Sequence, residues 1–261
     1  MTQADDDTDT RYRAPALDKG LDILEILSAQ PEGLTRAELV RAMARSPSEI
    51  YRMLERLVAR GYVTRAEGGD RYALSMKLFL LAHRHPPLRR LAAEAQPAMD
   101  GYARETGQSC HLVVPGRRVA VVIAHAMPES TWEFRVRVGA ELDFFGTGSG
   151  RTLLAFQGTE RRTATLALWG LTGAEAALAA IAPHLAEVRR AGYREAPSAQ
   201  LSGVVDLSVP ILGPDGDAFA ALTCAFIPLP GEQDAARRAL AVGRLREIAA
   251  KLSHPAVGGA V

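Results

Sequence analysis

The stretch RSPSEIYRMLERLVARGYV, residues 45–63, reads as a short helix with an explicit start. Ser46 is placed to cap it, Pro47 takes the first helical position and Glu49 falls three residues after the serine, which predicts a capping box. Ile50, Met53, Leu54, Leu57 and Val58 recur at helical spacing and make one face apolar. The other face carries Ser48, Tyr51, Arg52, Glu55 and Arg56. A helix started this firmly, with hydroxyls and guanidiniums left in water, suits a surface that reads another molecule.

The flanking sequence supplies its supports. LTRAELVRAM, residues 34–43, has a second capping box in Thr35 and Glu38, with Leu39, Val40 and Met43 facing inward. Before it, ALDKGLDILEILSAQ, residues 16–30, places Leu17, Leu21, Leu24 and Leu27 on one helical face and ends at the PEG turn. After Gly61, YVTRAEGGDRYALS alternates in polarity and is split by EGGD, a hairpin signal. Helix, helix, helix and hairpin over 14–75 predict a winged helix-turn-helix. In that arrangement the helix from Ser46 enters a DNA major groove. Arg52 is suited to guanine, the hydroxyls of Ser46, Ser48 and Tyr51 to phosphate, and Arg56 completes the face. Arg65 and Arg71 flank the wing turn and are expected to reach the backbone or minor groove. A single amphipathic helix with arginines is more often only a solvated face; the ordered set points to DNA.

Composition agrees with an ordinary globular chain, 48% apolar and 23% charged. The net charge of +1 hides a local asymmetry, since residues 35–77 carry nine Lys or Arg against five Asp or Glu. Asp5, Asp6, Asp7 and Asp9 mark residues 1–13 as an acidic, disordered tail. Cys110 and Cys224 have neither a disulfide-framework nor a metal-type spacing, and no cofactor is implied. Without a signal-peptide pattern or a run of about 20 apolar residues, a cytoplasmic protein with no membrane partner is expected.

LSMKLFLLAHRH adds a short helix, and the proline pair at 86–87 predicts a boundary. A long helix with Pro97 inside it follows, so that 76–106 read as linker helices. From Gly107 the texture turns to strands: QSCHLVV, RVAVVIAHA, WEFRVRV, then GVVDLSVPIL and AFAALTCAFI joined by GPDGD. Alanine-rich helices fill roughly 160–191, and a last helix runs from about 233 to 252. The expectation is an α+β chain whose second domain, 107–254, is an antiparallel sheet with helices on one face, and a flexible tail at 255–261.

In FFGTGSGR the glycines precede a helix, so Gly148, Ser149 and Gly150 can offer amides to a carboxylate; the alternative is a turn that only permits close packing. Alternation puts Asp206 and Ser208 on one strand face and Val205 and Leu207 on the other. Thr147, Ser149, Asp206 and Ser208 are polar where a purely structural sheet would stay apolar. His111 is either a satisfied strand histidine or a ligand contact, and Trp132 and Phe134 either an aromatic wall or core. His111, His125, Asp206 and Cys224 lack the spacing of a metal site.

Residues 14–81 resemble the DNA-binding domain of the IclR family of bacterial regulators, through ALDKGLDILEILSAQPEGLTRAELV, SEIYRMLERLVARGYV and DRYALSMKLFLLA. The second half resembles that family's GAF-like effector-binding domain, through ETGQSCHLVV, RVRVGAELDFFGTGSGRTLLAF, RRAGY and GVVDLSVPILGPDGDAFAALT. The resemblance implies a winged helix-turn-helix, a linker helix and a GAF-like antiparallel-sheet domain. It also implies a homodimer or dimer of dimers on paired operator half-sites near 34 Å apart. It places GTGSGR, Asp206 and Thr223 against a small carboxylated or aromatic effector. Relatives commonly carry cysteine where Asp206 stands and an acidic residue where Ala196 stands. An anionic ligand beside Asp206 then calls for a balancing cation such as Arg135 or Arg137.

The function expected is a sequence-specific DNA-binding regulator whose metabolite ligand alters operator affinity. One rival is a constitutive dimeric DNA-binding protein that senses nothing. An enzyme is the weaker rival. TGSGR lacks the G-x-S-x-G form, no phosphate-binding glycine motif is present, and residues 14–81 would have no purpose.

Overall fold

The computed structural model describes residues 14–66, 69–83, 86–130, 134–158, 162–228 and 234–253. The tails expected at 1–13 and 255–261, and Trp132, lie outside the described residues. The chain forms two compact units that divide between Pro86 and Pro87.

In the first unit α1 (Pro15–Ser28), β1 (Leu34–Thr35), α2 (Arg36–Met43) and α3 (Pro47–Ala59) precede β2 (Val63–Arg65), β3 (Arg71–Leu74) and α4 (Lys77–His83). Burial of Ile23, Leu27, Leu39, Ile50, Leu54, Val63 and Tyr72 closes the core of this unit. The helical periodicity of α2 and α3 was therefore a sound guide to their inner faces. For α1 it was only half right. Leu24 and Leu27 pack inward, but Leu17 and Leu21 are 61% and 47% exposed, and Ile23 takes the most buried position. The wing has a third strand that the alternation did not reveal, because β1 is two residues long and pairs with β3 through Leu34↔Tyr72.

Two caps show how local chemistry and tertiary context compete. At α2 the box is reciprocal: Thr35 Oγ1 accepts the Glu38 N–H at 3.3 Å, and the Thr35 N–H donates to Glu38 Oε2 at 2.8 Å. At α3, Ser46 is the N-cap and Pro47 opens the helix, but the serine hydroxyl donates to Glu49 Oε2 at 2.7 Å and accepts no helix amide. Lys19 of α1 also grips Glu49, and together with Ser46 it holds that carboxyl down at about 2. A carboxylate so firmly ionised is the stronger magnet for the hydroxyl. The turn between α2 and α3 holds Ala44 in the left-handed region, at φ 49° and ψ 42°. That conformation strains an L-residue with a Cβ, so Ala44→Gly is expected to stabilise the unit by about 0.5–1 kcal/mol. A thermal midpoint that does not rise would contradict this.

In the second unit α5 (Pro86–Thr106) leads to a six-stranded sheet. The proline pair opens α5, where a missing N–H and a fixed φ cost nothing, and the helix runs unbroken through Pro97. The strands are β4 (Cys110–Pro115), β5 (Ala120–Ala126), β6 (Glu141–Leu142), β7 (Arg194–Pro197), β8 (Val205–Leu212) and β9 (Ala218–Phe226). They lie in the order β6-β5-β4-β9-β8-β7 with every neighbour antiparallel. Between them run α6 (Gly148–Ala155), α7 (Arg162–Leu168) and α8 (Glu175–Ala191), and α9 (Asp234–Leu252) closes the chain.

Two sequence expectations fail here. The sheet is covered on both faces, not one. Leu112, Leu207, Val209, Leu222 and Phe226 pack with Met99 and Tyr102 of α5 and Leu245 of α9. Val113 and Ala221 pack on the other side with Leu153 and Leu154 of α6 and Leu185 and Val188 of α8. The buried runs along β4, β8 and β9 require this, since a strand buried continuously has no face left for water. The strand read in WEFRVRV is also absent over 134–138. Just beyond it the Gly139 N–H reaches Val122 O and the Val122 N–H reaches Ala140 O, and Gly139 turns the chain there with φ 83°.

Candidate functional site

The proposed DNA face is built by α3 on the first unit. Ile50 and Leu54 are buried beneath it, while Ser46, Ser48, Tyr51, Arg52 and Arg56 are exposed on its outer side. Arg52 and Arg56 make no ion pair among the described residues. Others of the expected set are partly engaged. Ser46 is tied to Glu49, and Arg71 donates to Gly33 O at 2.9 Å, 3.7 Å from Glu38. Arg65 donates to Gly69 O at 3.2 Å. The periodicity of α3 did not single out Arg36 of α2. Its guanidinium lies 5.2 Å over the Tyr51 ring and it pairs with Asp70 at 3.2 Å. With Arg41, Ser48 and Arg52 it borders a cleft of about 720 Å³ between α2 and α3.

The second unit gathers most of the expected effector residues in one place, through strand register. His125↔His111, His111↔Thr223, Thr223↔Ser208 and Ser208↔Arg194 are direct partners, so five polar residues stand in one row across β5, β4, β9, β8 and β7. Directly opposed residues share a face, and α6 covers this one. Ser149 Oγ donates to Thr223 Oγ1 at 2.9 Å and lies 3.4 Å from His111 Nε2, while the Ser208 and Thr223 hydroxyls bond at 2.8 Å. Burial, and then the neighbouring His125, push the His111 imidazole down to about 4. At neutral pH His111 is therefore an uncharged imidazole beside the hydroxyls of Ser149, Ser208 and Thr223.

Beside the row sits a buried ion pair. Arg194 Nη1 is 3.4 Å from Asp206 Oδ2, with side chains 3% and 12% exposed. The Gly148 amide and the Ser198 hydroxyl lie near the Asp206 carboxylate and favour its charged form. Burial raises its pKa against the pull of Arg194, and burial likewise lowers that of Arg194. The balancing cation is thus Arg194, not Arg135 or Arg137. No sequence spacing pointed to it, because the pair depends on β7 lying against β8. The glycines permit close packing here. A Cβ on Gly148 would come within 2.8 Å of Asp206 Cβ, and one on Gly150 within 2.5 Å of Phe144 Cα. The Gly150 amide is also taken, by Thr147 Oγ1 at 3.1 Å.

Two further expected residues have partners of their own. Thr147 caps α6 and donates to Asp143 O at 2.7 Å, so both roles of its hydroxyl are local. Phe134 is linked through its carbonyl to the Ser109 hydroxyl, which donates to it. Cys224 packs in the core under α5 and α9, on the opposite sheet face from His111. Among the described residues no group of three His, Cys, Asp or Glu is arranged to hold a metal, and no helix is long and apolar enough to cross a membrane.

Comparison with known proteins agrees with both halves. Residues 16–67 match the IclR helix-turn-helix domain, and residues 88–254 match the bacterial transcriptional regulator IclR C-terminal domain. The HTH-type transcriptional regulator KdgR of Escherichia coli is 29% identical over 217 residues, covering 78% of this chain and 79% of the relative. An IclR homolog from Microbacterium hydrocarbonoxydans, solved with 4-hydroxybenzoate, superposes with a TM-score of 0.71 at 24% identity, covering 91% of this chain and 97% of that one. An IclR regulator from Alicyclobacillus acidocaldarius gives 0.69 at 24% identity, over 93% and 98%. With a helix-turn-helix and an effector domain matched in order, this chain belongs to the IclR family of bacterial transcriptional regulators and is not an enzyme.

Proposed function

We propose that the chain is a cytoplasmic, sequence-specific regulator that binds paired operator half-sites as a homodimer or dimer of dimers. A small carboxylated or aromatic metabolite in its second unit alters that binding. The observation that carries the DNA half is the division of α3: Ile50 and Leu54 are sealed in the core while Ser48, Tyr51, Arg52 and Arg56 face out. The polar row of His111, Ser149, Ser208 and Thr223, buried between α6 and the sheet, supports the sensing half. The 4-hydroxybenzoate in the Microbacterium hydrocarbonoxydans structure is of the ligand class favoured here.

Fluorescence anisotropy on the upstream intergenic DNA, at two salt concentrations with unrelated competitor, tests the first half. Tight binding that survives competitor is expected. Arg52→Ala is expected to weaken it by about 1–3 kcal/mol on the operator alone if Arg52 reads a base. An equal loss on every sequence, with a shallower salt slope, would assign Arg52 to phosphate instead. The constitutive rival makes a different prediction: no metabolite raises the thermal midpoint or shifts operator affinity.

A further inference from the structure

Asp70 stands on the wing between Arg65 and Arg71, the two arginines expected to reach DNA, and carries the opposite charge. A carboxylate there repels a phosphate backbone unless a cation engages it. Arg36, the first residue of α2, does so, donating from Nε to Asp70 Oδ1 at 3.2 Å. The pair joins the supporting helix to the wing, two segments from either side of α3 in the sequence. Its side chains are 38% and 55% exposed, so a competing anion can reach both. An ion pair so open to water is weak and readily exchanged.

More than the carboxylate holds this guanidinium. It lies 5.2 Å over the Tyr51 ring of α3 and 6.0 Å over the Tyr72 ring of β3. Such contacts keep it in place without using its N–H donors. Of the five donors in a guanidinium, Arg36 commits one, to Asp70, among the described residues. Arg36 also borders the cleft between α2 and α3, together with Ser48, Tyr51 and Arg52 of the outward face. A DNA strand lying along that face would meet the same guanidinium. Phosphate can take an arginine through two parallel N–H bonds, where Asp70 takes this one through a single bond.

We propose that Asp70 is an internal stand-in for a DNA phosphate: it holds Arg36 in the free chain, and a backbone phosphate displaces it when α3 docks. The proposal rests on α3 being the DNA-reading helix. Arg36 then joins the phosphate-contacting set, and Asp70 restrains binding to every duplex alike, because a phosphate contact carries no sequence information. The base contacts of α3 are left to distinguish the operator.

Fluorescence anisotropy of the full chain at low salt tests it, on the upstream intergenic duplex and on a duplex of unrelated sequence. Asp70→Asn is expected to tighten binding to both duplexes by about threefold or more, Arg36→Gln to weaken both by about fivefold or more, and raised salt to shrink the two effects. The cycle of the two variants is decisive. In the Arg36→Gln background Asp70→Asn should change nothing, since the residue it releases is gone. A gain that persists there would mean that Asp70 only repels DNA as a charge, and would overturn the proposal. An Arg36→Gln loss with no Asp70→Asn gain would overturn it too, making Arg36 a prop for Tyr51. Binding by Arg36→Gln equal to the parent would also reject it. A parent chain that binds neither duplex would reject the DNA-reading role of α3 and this proposal with it; every other adverse result falls on this proposal alone.

Discussion

Asp206→Ala is expected to cost the second unit about 3–5 kcal/mol of unfolding free energy, and Arg194→Ala a similar amount. Each leaves a charge that is almost wholly enclosed: the two side chains are 3% and 12% exposed, and Arg194 has no other anion within bonding distance among the described residues. The double variant Asp206→Leu with Arg194→Met is expected to fall far closer to the parent, because apolar groups of similar volume replace both charges and their desolvation cost disappears. Trp132 and Trp169 both lie beyond Pro87, so fluorescence in a urea titration reports this unit. If the single variants each lose less than about 1 kcal/mol, water reaches the pair and it is an ordinary surface bridge.

A second large effect is the pH dependence set by His111. Its imidazole is held down to about 4 in the folded chain, by burial first and His125 second, against an ordinary value near 6.5. On acidification the unfolded chain takes up this proton first, so stability rises with pH across that window. The contribution is fully present above pH 6.5 and is lost as pH falls towards 4, about 3 kcal/mol in all from a shift of this size. Asp206 works in the opposite sense. Its raised pKa lets the folded state take up a proton before the unfolded one, which offsets part of the loss. Urea midpoints at pH 7, 5.5 and 4.5 should therefore fall in the parent and fall much less in His111→Asn. Parallel slopes in the two proteins would mean that His111 is reached by water or already charged.

Much of the first unit was legible because its signals are local. The Thr35–Glu38 box, Pro47 at the start of α3, and the Ile50 and Leu54 stripe are set by residues within one or two turns of each other. Where a distant side chain intervened, the local reading bent: Lys19 of α1 draws Glu49, and Ser46 gives its hydroxyl to that carboxylate instead of to the helix. The stripe on α1 slipped for a similar reason. Periodicity names the faces of a helix, but the packing partners choose which face is covered and how far along.

The candidate ligand site divides the same way. Ser149, Asp206, Ser208 and His111 stood out from sequence as polar residues in apolar company, and glycines at 148 and 150 announced a close approach. Arg194 did not stand out at all, and the Thr147 hydroxyl, expected beside the ligand, is engaged locally with Asp143 and Gly150. Sequence by itself determined the kinds of element, the starts of the two DNA-proximal helices, the polar character of α3's outer face and the family. Tertiary structure alone decided which polar side chains meet. The row from His125 to Arg194 is written in the register of five strands, and the ion pair in the docking of β7 on β8. Register is settled by which apolar side chains fill the layers on both faces of the sheet, a sum over the whole unit that no short stretch of sequence contains.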